Sequence, residues 1–132
     1  MERSHHGKYQ PEPGEKVIVH NKTGEYIAEV LELSNARALV KILAVRKHPD
    51  QGDLHHPYEP DVPFFHERRA LSYTEKTNIP FRDIEPYAGE IPDYKESLKQ
   101  ALHKELAALD RMHRWTGMAL RQLQTLEKDY KF

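Results

Sequence analysis

Lys16-Val-Ile-Val-His-Asn-Lys-Thr-Gly-Glu-Tyr-Ile-Ala-Glu-Val-Leu-Glu-Leu-Ser-Asn-Ala-Arg-Ala-Leu-Val-Lys-Ile-Leu-Ala-Val-Arg46 is the stretch whose reading decides the fold. Val17 and Val19 alternate with other residues, and Tyr26, Ala28 and Val30 do the same. That period of two belongs to strands with one buried face. Asn21-Lys-Thr-Gly24 and Ser34-Asn35 carry turn residues between the runs. Strands are therefore predicted over residues 16–20, 25–33 and 36–46. Short connections make them an antiparallel meander.

Outward from this core, residues 69–73 read as a fourth strand. Residues 78–87 read as a short turn and a closing strand. About five short strands are too few for a sandwich. The expected class is α+β, mainly β: a small SH3-like β-barrel, whose closure hides its edges, or a curved antiparallel sheet covered by a helix. Residues 1–13 are expected to be a flexible N-terminal arm and residues 14–88 the β domain.

Pro86 to Pro92 forms a hinge, and residues 92–130 form a helical extension. Asp93 is a good N-cap, with Glu96 at capping-box spacing. Tyr94, Leu98, Leu102, Leu106, Leu109, Met112, Thr116, Leu120, Leu123, Leu126 and Tyr130 then recur every three or four residues. Unbroken, such a helix is about 55 Å long at about 1.5 Å per residue, longer than a small β domain can cover. It either projects toward another chain or folds back as a hairpin, with Asp110 and Trp115-Thr-Gly117 as the break points. A homodimer through this helix is one way to cover the stripe. Trp115 and Met118 fall where a partner is needed.

A chemically loaded loop separates the third and fourth strands. His48, His55, His56 and His66 stand beside Asp50, Asp53, Asp61 and Glu67, and prolines 49, 57, 60 and 63 exclude a helix. His48, His55 and His66 are candidate metal ligands by residue type, but their spacing matches no established site, so no metal is expected. Adjacent His55 and His56 would point to opposite faces of a strand. Pro63-Phe-Phe65 is expected to bury one ring in the core; the other is left open, with a surface anchor as the functional alternative. Arg68-Arg69 with Arg46-Lys47 form a small basic patch or solvated strand ends.

Composition narrows the function. There is no cysteine, so thiolate sites, Cys nucleophiles and cysteine lipidation are excluded, and the cytoplasm is expected. No apolar run reaches membrane-spanning length, and the first residues lack the apolar core of a secretory signal. Twenty Lys and Arg against twenty-one Asp and Glu create no field for nucleic acid. No glycine-rich phosphate loop or catalytic constellation is present, so neither an enzyme nor a cofactor is expected. An SH3-like module binding nucleic acid or the ribosome through Arg46, Lys47, Arg68 and Arg69 is the alternative to a protein-binding adaptor.

Taken together, the residues resemble the kinase-associated protein B family of spore-forming bacteria. The likeness lies in Lys22-Thr-Gly-Glu-Tyr-Ile27, Val40-Lys-Ile-Leu-Ala-Val45, Lys47-His-Pro49, Gln51-Gly-Asp-Leu-His55, Asp61-Val-Pro-Phe-Phe-His-Glu-Arg68 and Pro92-Asp-Tyr-Lys-Glu-Ser-Leu98. The resemblance implies a non-enzymatic accessory protein for a membrane sensor histidine kinase in the phosphorelay that initiates sporulation. It also implies a β-barrel or antiparallel sheet followed by an extending helix. The family's role is associated with a lipoprotein, whereas this sequence offers no cysteine for a lipid. Contact from the inner face of the membrane, without membrane insertion, is therefore expected. Phe64, Phe65, Arg68, Trp115 and Met118 are the expected partner-binding residues.

Overall fold

The computed structural model describes residues 9–132. Five strands form one antiparallel sheet in the order β4-β3-β2-β1-β5. They are β1 (Lys16–Asn21), β2 (Gly24–Ser34), β3 (Arg37–Lys47), β4 (Lys76–Pro80) and β5 (Ile84–Pro86), followed by helix α1 (Tyr94–Tyr130). The first three strands are the predicted meander. Lys22 and Thr23 make a two-residue turn with φ of 47° and 71°. A β-branched residue there is strained, and Thr23 is held from outside: its hydroxyl accepts the Asp50 N–H at 2.8 Å, and its carbonyl accepts the Lys47 ammonium at 3.2 Å.

Alternation buries one face of the sheet. Val17, Val19, Tyr26, Ala28, Val30, Ala38, Val40, Ile42, Ile79 and Ile84 make the core, with Tyr9 and Ala101 closing over it. A second row, Ile18, Ile27 and Ala44, is buried in register across three neighbouring strands. The expected arm lies largely outside the described residues. Within its remainder Tyr9 and Pro11 are buried, so this part packs on the domain.

The sheet is open rather than a closed barrel, because β4 and β5 are its two edges and do not pair. A three-residue 3-10 turn, Phe81–Asp83, carries the chain from one edge to the other. The fourth strand also starts later than expected. Residues 69–73 are not a strand. They cross the end of the sheet, where the Tyr26 hydroxyl accepts the Leu71 N–H at 3.2 Å and the Tyr94 hydroxyl donates to the Leu71 carbonyl. A turn with Thr74 at φ 65° then leads into β4.

β4 pairs only with residues 37–41 of β3. Just past them the Ile42 N–H donates to the Glu75 carbonyl at 2.9 Å and the Ile42 carbonyl accepts the Thr74 N–H at 2.7 Å; beyond Ile42, α1 docks against β3. The buried Ser97 hydroxyl accepts the Val45 N–H at 2.9 Å and donates to the Tyr94 carbonyl at 2.7 Å. A side chain of the helix thus supplies what a further strand would have supplied.

Helix α1 begins as predicted: the Asp93 carboxylate accepts the Glu96 N–H at 3.1 Å. It is one continuous helix, not a hairpin. Across the expected break, Arg114 donates to the Asp110 carboxylate at 2.9 Å one turn away. Gly117 costs only about 1 kcal/mol within a helix. No proline lies between Asp93 and Phe132 to remove a backbone donor.

Candidate functional site

Only Ser97 and Ala101 of the 37-residue helix are buried. Beyond them Leu106, Leu109, Met112, Leu120 and Leu123 are each about half exposed or more, in one stripe. Trp115 and Met118 are exposed at 69% and 58%. At about 100° per residue Trp115 sits on the flank of that stripe and Met118 on the far side. An isolated helix of this kind in water gains nothing from its apolar face. The stripe is left uncovered along its length beyond Ala101.

Near its root the helix forms one wall of a groove of about 610 Å³. Leu98, Leu102, Leu106 and Leu109 line that wall; Glu67, Arg68, Arg69, Ser72 and Tyr73 line the opposite one, with His48 and Pro49 at the floor. Leu102 and Leu109 follow directly from the helical period. The groove itself depends on the path of residues 67–73, which no local pattern reveals.

The loop beside the groove is held by its own polar side chains. Gln51 donates to the Arg68 carbonyl at 2.9 Å and accepts the Arg68 N–H at 2.7 Å, imitating a strand pair with one side chain. The Arg68 guanidinium in turn donates to the carbonyls of Asp50 at 2.6 Å and Gly52 at 3.1 Å. Arg68 is therefore a strut of the loop. Gly52 sits at φ +90°, and a Cβ there would lie 2.8 Å from the Phe65 ring. The backbone conformation is what calls for glycine here, since the exposed Phe65 ring has room to move aside.

Because the clasp closes the loop on itself, it does not fold over the core. Phe64 and Phe65 are both exposed, at 72% and 63%, instead of one being buried. Phe64 stacks on His66 with ring centroids 5.6 Å apart. Tyr58 is also exposed. The loop thus presents a cluster of aromatic surface.

The histidines are dispersed in their roles. His48 Nδ1 meets the Pro49 carbonyl at 3.0 Å, His66 stacks on Phe64, and His55 is exposed. Among the described residues no three His, Cys, Asp or Glu side chains are placed to share a metal ion. Asp53 is held below the ordinary carboxylate range, first by the hydrogen bond from His56 and then by the His55 N–H. This is an exposed local turn. Of the basic residues, Lys47 is paired with Asp50 at 3.0 Å, and Arg46 and Arg69 are exposed. Sequence reasoning missed Gln51 and Ser97. Both are uncharged polar residues whose significance lies in backbone groups distant along the chain.

A family model described as "Kinase associated protein B" matches residues 21–131. The chain belongs to the kinase-associated protein B family. It is 49% identical over 120 residues to the Bacillus subtilis (strain 168) protein named "Kinase-associated lipoprotein B", covering 90% of this chain and 94% of that one. The crystal structure of kinase-associated protein B from Bacillus cereus matches with a TM-score of 0.67 at 43% identity, covering 93% of this chain and all of that one. The open five-stranded sheet followed by a long helix is thus the fold of that relative too. Among the described residues no helix is long and apolar enough to cross a membrane.

Proposed function

We propose that this protein is a non-enzymatic accessory factor that supports a sensor histidine kinase in the phosphorelay initiating sporulation. It acts by protein contact from the cytoplasmic side of the membrane. Family membership supports a kinase-associated role. The observation that carries a contact mechanism is the exposed apolar surface of a projecting helix and an aromatic loop.

Loop residues Phe64 and Phe65 and the outer helix face around Met118 are the surfaces assigned to the kinase. Trp115 borders that face, and Arg68 keeps the loop in shape. A bound protein activates a kinase only by preferring its active conformation, so the contact must be tighter in that state. Sedimentation of this protein with membranes carrying the kinase, compared with membranes lacking it, tests the contact. Kinase-dependent sedimentation that Phe64→Ser/Phe65→Ser weakens is the expected result. Equal sedimentation with both membranes would refute it.

A further inference from the structure

We propose that the apolar stripe of α1 is covered by α1 of a second copy running antiparallel, with the last turns of each helix lying in the groove of the other. The observation is a register longer than the domain needs. Leu102, Leu109, Thr116, Leu123 and Tyr130 follow one another at steps of seven, and Leu98, Glu105, Met112, Ala119 and Leu126 fall at the intervening three-and-four positions. That is the seam of two helices wound on each other. A helix that merely rests on its own sheet has no use for it past Ala101, where burial ends.

The same register distinguishes the two directions. A parallel pair sets Glu105 against Glu105, Thr116 against Thr116 and Ala119 against Ala119, combining like charges with two thin layers. An antiparallel pair, with its two-fold axis beside Arg114, sets Leu102 against Leu126 of the second copy, Leu109 against Ala119, Met112 against Thr116 and Glu105 against Leu123, which keeps the two Glu105 carboxylates about 27 Å apart along the axis. Large then meets small in the middle layers, as close packing requires. Leu106 meets Leu120 on one flank. Tyr130 of the second copy arrives beside Leu98, inside the groove.

The groove suits this occupant. It is a cleft of about 610 Å³ whose helix wall is Leu98, Leu102, Leu106 and Leu109, with Glu67, Arg68 and Arg69 across from them. Covering the stripe takes Leu106, Leu109, Met112, Leu120 and Leu123, each about half exposed or more, out of water on both copies. Phe64, Phe65 and Met118 remain outside the seam. The inference is independent of the kinase reading, and either stands if the other fails.

Light scattering at tens of micromolar is the first test, with a mass of twice 15.5 kDa expected. Leu123 is 62% exposed within one copy, so Leu123→Glu leaves the sheet intact, which the amide spectrum of the sheet verifies. This variant is expected to be monomeric. Direction is read with single cysteines in a chain that has none. His113→Cys lies beside the two-fold axis and is expected to join its mate through a short bifunctional thiol reagent. Leu123→Cys lies about 27 Å along the axis from its mate and is expected not to. A monomeric natural protein, an undiminished Leu123→Glu dimer, or joining at position 123 but not 113 would overturn the proposal.

Discussion

Ser97→Ala tests how the helix is fixed to the sheet. The Ser97 hydroxyl is the acceptor for the Val45 N–H at 2.9 Å, and both residues are buried, at 6% and 4% exposure. Alanine removes the acceptor without disturbing the helix, whose propensity it slightly improves. The Val45 N–H is then buried without a partner, which costs about 1–3 kcal/mol. Taking about 2 kcal/mol, the midpoint of thermal unfolding should fall by about 6 °C for a domain of this size. Thermal unfolding by circular dichroism measures the first effect, and amide hydrogen exchange at Val45 the second, since its protection should drop more than that of Val40 in the same strand. An unchanged midpoint with Val45 still protected would refute the reasoning that Ser97 substitutes for a missing strand.

Burial raises the Tyr26 phenol above its ordinary 10.0, partly offset by the hydrogen bond from Leu71. Its neutral form is favoured in the folded chain, so its contribution to stability is complete below pH 10 and is lost as pH rises through the folded value. Tyr26→Phe should flatten that alkaline loss and free residues 69–73, as followed by denaturant unfolding across pH. Arg68→Ala removes both donors to the Asp50 and Gly52 carbonyls. It should cost about 1–2 kcal/mol and speed proteolysis between residues 53 and 66, with the sheet left protected. Asp93→Ala deletes the helix cap. A loss of about 1 kcal/mol in denaturant unfolding is expected.

The sheet was legible wherever a local pattern carried it. Val17, Val19, Tyr26, Ala28 and Val30 announce their period, and Asp93 with Glu96 announces the helix start. What local pattern cannot carry is a polar group acting at long range. Ser97 acts on Val45 and Gln51 on Arg68, and nothing about either residue marks its partner. The fourth strand was misplaced because Ala70 and Leu71 are apolar enough to suggest one. The Leu71 backbone is taken by the Tyr26 and Tyr94 hydroxyls instead. The two phenylalanines misled for a related reason: the loop closes on its own carbonyls, so neither ring is drawn inward. The helix stripe runs on past its domain as its spacing predicts, and nothing between Asp93 and Phe132 removes a backbone donor to break it.

Reconstitution of the sensor kinase in lipid bilayers, with its autophosphorylation followed in the presence and absence of this protein, tests the central claim most directly. A saturable rise in the rate is predicted, reduced for Phe64→Ser/Phe65→Ser while its unfolding midpoint stays that of the natural protein. An unchanged rate at concentrations that saturate binding, or at which no complex forms, would contradict it.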